Sequence, residues 1–137
     1  MIRWVLAYLG AGLAMAGLDA VWLTLANGLV YRPTLDPVLM PEGLRLAPAI
    51  AFYLVYLLGV VIFAVRPALQ SGRWRTAAIF GGLYGFFCYA TYDLTNQATL
   101  AVWSTRITLL DMAWGTMLTA ICATAGLLAA RIGRTKA

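Results

Sequence analysis

The sequence contains no histidine and only five carboxylate side chains among 137 residues. Charged residues of both signs make up 11% of the chain, against about 25% in an ordinary soluble domain. So little charge cannot cover a water-facing surface of this size. Without histidine, and with only Cys88 and Cys122 far apart in apolar stretches, zinc, haem and histidine-ligated di-iron sites have no ligand set. No metal and no cofactor is expected. The two cysteines read as small packing residues rather than a disulfide.

What is present is apolar: 63% of residues are hydrophobic. Lipid is therefore the expected solvent and the lipid bilayer the expected partner. The net charge of +5 does not signal nucleic acid, because the basic residues are not gathered on one helix or stripe. They stand between apolar runs instead. At about 20 residues per crossing, the runs predict an all-α integral membrane bundle of four transmembrane helices with short loops, a single transmembrane domain over residues 1–137. The expected spans are 4–25, 47–65, 76–96 and 107–130. The first run follows Arg3 and contains Ala14-Met15-Ala16, which resembles a cleavage site, but it continues to Leu25 and reads as a retained helix. Pro33, Pro37 and Pro41 forbid a long regular helix in the first connection, leaving room for one short turn from Val38 to Leu44. Arg66-Pro67 is expected to stop the second span.

Four spans place both termini and the middle loop on one side. That side carries Arg3, Arg66, Arg73, Arg75, Arg131, Arg134 and Lys136. The other carries Arg32, Arg45 and Arg106, with Asp36 and Glu42. The bias makes the termini cytoplasmic. Trp4, Trp74 and Trp103 fall at the expected membrane interfaces, where indoles prefer to lie. Gly10, Ala14 and Gly17 in the first span, and Gly81 and Gly85 in the third, form small-residue faces. Such faces serve either packing inside one bundle, the favoured reading, or a homodimer.

Three aspartates break the apolar pattern: Asp19, Asp93 and Asp111. An ionisable group at the centre of a span costs about 2.5 to 3.5 kcal/mol on insertion scales, so each needs a reason. Counting from the span ends at 1.5 Å per residue puts all three in one outer-leaflet layer, supplied by three different helices. Trp22 follows Asp19 by three residues and Trp114 follows Asp111 by three, so each pair shares a helix face. Around Asp93, Tyr92, Thr95 and Asn96 add hydroxyl and amide groups, and Tyr53 and Tyr56 enter the layer from the second span. Arg106 and Arg45 are the cations nearest by topology. Polar residues also simply tie bundles together, at about 0.6 kcal/mol per interhelical bond. Three acids in one layer repel when ionised, however, and protons, an arginine or a bound cation must compensate. The expected site is a cup formed by Asp19, Asp93, Asp111, Trp22, Tyr92, Asn96, Trp114, Tyr53, Tyr56 and Thr95.

Several stretches resemble a known family: Leu18-Asp19-x-x-Trp22, Ala51-Phe52-Tyr53-Leu54-x-Tyr56-x-x-Gly59, Phe63-Ala64-Val65-x-Pro67-Ala68, Asp111-x-x-Trp114-Gly115 and, most specifically, the run from Tyr89 to Leu100 through Tyr92-Asp93-Leu94-Thr95-Asn96. Nearly the whole chain is similar to small four-span proteins of the bacterial inner membrane classed as a domain of unknown function. The resemblance implies four spans and that membrane. It carries over no catalytic residue. The expected role is therefore binding or transport of a cation, proton or small polar solute. The alternatives are a membrane enzyme or accessory factor acting on lipid or isoprenoid, and a structural subunit of a membrane complex.

Overall fold

A computed structural model of the chain describes residues 1–41 and 43–133. Glu42, Arg134 and Lys136, which entered the charge comparison above, lie outside the described residues. The described residues form an all-helical bundle of four rods. The first joins α1 (Ile2–Ala26), a π-turn (Asn27–Tyr31), α2 (Arg32–Leu35) and a 3₁₀ turn (Asp36–Val38). The second joins α3 (Leu46–Val60), a π-turn (Val61–Val65) and α4 (Arg66–Ser71). The third and fourth are α5 (Trp74–Thr99) and α6 (Thr105–Ile132).

Rods one, two and four, at Ile2–Val38, Leu46–Ser71 and Thr105–Ile132, are long and apolar enough to cross a membrane. The 26 residues of α5 give about 39 Å of helix, which is long enough, but the polar run near its end lowers its hydropathy. It stands antiparallel against α6 along its length, Gly81 facing Ala123 and Gln97 bonding Thr108.

Both proline expectations need correction, for one physical reason. The first helix does not end near Leu25, and the second does not stop at Arg66-Pro67. Each passes through an Arg-Pro pair directly after a π-turn. In the turn the amide of Arg32 reaches back to the carbonyl of Asn27, and the amide of Arg66 to that of Val61. The wider loop shifts the ladder by one residue before the proline. Each proline then sits in the first turn of the resumed helix, where its missing N–H is not needed. The short turn expected from Val38 to Leu44 forms earlier instead, at Asp36–Val38, with Pro37 in its first positions. A left-handed Gly72 (φ 70°) closes α4, its amide bonded to the Ala68 carbonyl. Ser104 caps α6 by accepting from the Ile107 amide.

The core runs along α6, which touches each of the other rods. Leu118, Cys122 and Leu127 meet Ala7, Ala11 and Met15 of α1, and Val60, Ala64 and Val65 of the second rod. Small residues set the approach. A Cβ on Gly126 would lie 2.8 Å from the Ala7 carbonyl oxygen, and one on Gly81 2.7 Å from that of Thr119. One on Gly10 would lie 2.5 Å from the Ala129 Cβ. Gly10, Gly81 and Gly85 therefore pack within the chain, while Gly17 faces open space. Cys88 and Cys122 are free thiols, the second fully buried.

Candidate functional site

Toward the end of the bundle where α5 passes into α6, α1 and α6 cross with Trp22 stacked on Trp114, centroids 4.5 Å apart and planes 9° from parallel. Each indole then turns to the other helix's acid. Trp22 Nε1 donates to the Tyr31 hydroxyl at 2.9 Å, and that hydroxyl donates to Asp111 Oδ1 at 2.5 Å. Asp19 accepts from the Tyr53 hydroxyl at 2.8 Å. The Trp114 N–H lies near Asp19 without meeting hydrogen-bond geometry. The acid–indole pairs share faces as their spacing required, and the tertiary fold exchanges their partners.

Tyr31 is the residue the sequence reading missed. Nine residues beyond Trp22, it would fall on the opposite face of a regular α-helix, about 180° away. The extra residue of the π-turn swings it back by about 100°, to within reach of Trp22. Tyr89 was also passed over. Its ring lies directly on Gly115, where any Cβ would collide, and it interacts electrostatically with Asp19 and Asp111. Its position one turn before Asp93 was the available signal.

Asp93 is fully buried, and no donor among the described residues reaches either of its oxygens. It interacts electrostatically with Asp111. Its neighbour Tyr92 is 59% exposed and packs edge-on against Trp103, centroids 5.8 Å apart. Asn96 lies within reach of the Tyr92 hydroxyl. Trp103 is fixed in turn: its Nε1 donates to Thr108 at 3.0 Å, and Thr108 donates to Gln97 Oε1 at 2.7 Å.

Other expected members stand elsewhere. Thr95 points outward and bonds the carbonyls of Thr91 and Tyr92 on its own helix, as mid-helix hydroxyls do. Tyr56 bonds Thr119 at 2.7 Å, deeper in the bundle, rather than an acid. Arg45 and Arg106 are exposed and form no ion pair among the described residues. Arg32 lines a cavity together with Asp111 and is paired with Asp36 at 3.6 Å on the surface.

Two concavities meet at Tyr92. One, of about 490 Å³, lies under the segment that follows α2 and is lined by Asp111, Tyr31, Arg32, Tyr92 and Trp103 among leucines. The other, of about 280 Å³, is an aromatic cleft between α3 and α5 formed by Phe52, Tyr56, Cys88, Tyr89 and Tyr92. A third, about 860 Å³, is an apolar groove on the outside of α5 and α6 with no titratable group.

The family described as "Predicted membrane protein (DUF2177)" matches residues 4–128. The chain belongs to that family. The match spans all four rods of this DUF2177 chain and every residue of the site just described. No curated protein and no solved structure matches it.

Proposed function

We propose that the chain is one transmembrane domain of a bacterial inner membrane, with cytoplasmic termini, that binds a cation or small polar solute in an acidic, aromatic pocket of its outer leaflet. The observation that carries this reading is Asp93, fully buried with both oxygens unreached by any described donor. A buried polar group without a partner costs about 1 to 3 kcal/mol, and a bare buried charge far more. Asp111 stands close enough to add repulsion. A proton or cation supplied from outside the chain removes both penalties. Asp93 and Asp111 are the binding carboxylates in this reading, with Tyr31, Trp22 and Trp114 fixing Asp111, and Asn96 steadying Tyr92. Asp19, already bonded by Tyr53, completes the layer.

The test is thermal unfolding of the purified protein in detergent against pH, divalent cations and amines, for wild type and Asp93→Asn. A ligand held only by the folded state stabilises it by about 2.7 kcal/mol at one hundred times its dissociation constant. One ligand class is expected to protect the wild type and to lose that effect in the variant. If nothing protects the wild type and the variant is equally or more stable, the aspartates only tie helices together.

The orientation has its own test. With Cys88 and Cys122 replaced by alanine, single cysteines at Met40 and Gln70, both on exposed surface, report the two sides. An impermeant thiol reagent is expected to label Met40→Cys in intact cells and Gln70→Cys only after the membrane is opened. The reverse pattern would invert the assignment.

A further inference from the structure

The two concavities that meet at Tyr92 differ in chemistry, and the difference identifies the class of molecule that would fill them together. The larger is lined by Asp111, Arg32 and Asn27 together with the apolar side chains of Leu23, Leu35, Leu39 and Leu44. Such walls disfavour a fully hydrated ion, which would have to shed water against leucine. The smaller is a strip of aromatic rings beside Cys88, with no charged side chain. Tyr92 lines both, and a molecule with a polar head and an apolar chain passing over its ring would fill both.

The head is defined by the groups facing it. Asp111 Oδ1 accepts from the Tyr31 hydroxyl, and no described donor is bonded to its other oxygen. Asp93 lines neither concavity; buried on the inner side of α5 with both oxygens unpartnered, it interacts electrostatically with Asp111. Carboxylates beside the rings of Tyr92 and Trp103 suit an ammonium group, which donates charge-assisted hydrogen bonds to acids and gains cation–π attraction from rings. A metal ion fits less well. Among the described residues no three His, Cys, Asp or Glu side chains are grouped to hold one. Arg32 lines the same cavity and offers a positive partner to an anionic group bonded to the amine. Depth agrees with this pairing. Asp111 lies six residues into α6, about 9 Å below its outer end, at the level where headgroups give way to acyl chains.

We propose that the ligand of this site is an aminophospholipid, its ammonium held at Asp111 with the buried Asp93 adding negative charge behind it, its phosphate toward Arg32 and one acyl chain along the aromatic cleft between α3 and α5. This inference rests on the acidic-pocket reading above. It is tested by thermal unfolding of the full chain in detergent micelles. The additions are phosphatidylethanolamine, phosphatidylglycerol or soluble ethanolamine, for wild type, Asp111→Asn, Asp93→Asn and Phe52→Ala.

Phosphatidylethanolamine is expected to raise the wild-type midpoint by several degrees, and phosphatidylglycerol to leave it near its starting value. Ethanolamine is expected to act only at concentrations at least a hundredfold higher. Both aspartate variants should lose the ethanolamine-lipid effect. Phe52→Ala, at an exposed position that lines only the aromatic cleft, should keep the ethanolamine response while losing most of the lipid preference. If ethanolamine protects as well as the lipid, the lipid assignment fails and the acidic pocket stands. If all lipids protect equally, or the protection survives in both aspartate variants, the headgroup does not sit at the acids and the proposal is overturned. If neither amine protects, the lipid proposal is overturned, and the acidic pocket is then decided by the response to pH and divalent cations.

Discussion

Replacing Gly85 by alanine is expected to destabilise the bundle by about 3 kcal/mol, the upper end for an overpacked contact. The reason is what the new methyl would meet. It would strike the Gly115 carbonyl oxygen and the Thr119 side chain of α6, and backbone cannot rotate out of the way. Gly81, one turn earlier, stands in the same relation to the Thr119 carbonyl. The double replacement should therefore force α5 and α6 apart. Gly17→Ala is the internal control. It has no neighbour within 4 Å, so removing a helix-interior glycine there should change stability little or raise it by up to about 1 kcal/mol. Denaturant unfolding in mixed micelles measures all three. A Gly85→Ala protein as stable as the wild type would mean that α5 does not pack on α6 at this distance.

Tyr31→Phe removes one oxygen and strands two groups. The Trp22 N–H loses its acceptor, and Asp111 Oδ1 loses its donor. Interhelical hydrogen bonds in membranes average only about 0.6 kcal/mol, because the unfolded chain in lipid also finds partners. Here a single deletion leaves a donor and an acceptor unmatched together, so the expected loss is larger, about 2 kcal/mol. A double-mutant cycle with Asp111→Asn separates the two effects. Coupling between positions 31 and 111 should reach at least about 0.5 kcal/mol, as for residues in direct contact. Coupling near zero would show that the Tyr31 hydroxyl bonds solvent or headgroups rather than the aspartate.

How far such a site can be read from sequence depends on whether its geometry lies along one helix or between helices. The acids and their indoles, three residues apart, were legible because periodicity alone puts them on one face. That Trp22 serves Asp111 through Tyr31, while Trp114 stands by Asp19, depends on how α1 lies across α6. No spacing encodes that. Tyr31 was hidden for another reason. Reading Pro33 as a helix breaker ended the first rod too early, when the preceding π-turn had already absorbed the missing amide. Thr95 was the opposite case, misjudged although the spacing was informative. Thr91, Thr95 and Thr99 recur every four residues, and each hydroxyl bonds a carbonyl of its own helix on the outward face. Asp93 lies half a turn away and points inward. Arg106 and Arg45 were assigned by depth, which topology supplies, whereas pairing also needs direction around the helix axis. Depth alone overestimates what meets.

The stacked pair Trp22 and Trp114 has a consequence of another kind. Two indoles at 4.5 Å with planes 9° apart do not absorb light independently. Their transitions mix, and the pair acts as one chromophore whose circular dichroism depends on the relative orientation of the two rings. One ring rides on α1 and the other on α6. Sliding or twisting of these helices past each other is therefore written into the ultraviolet spectrum of the unlabelled protein.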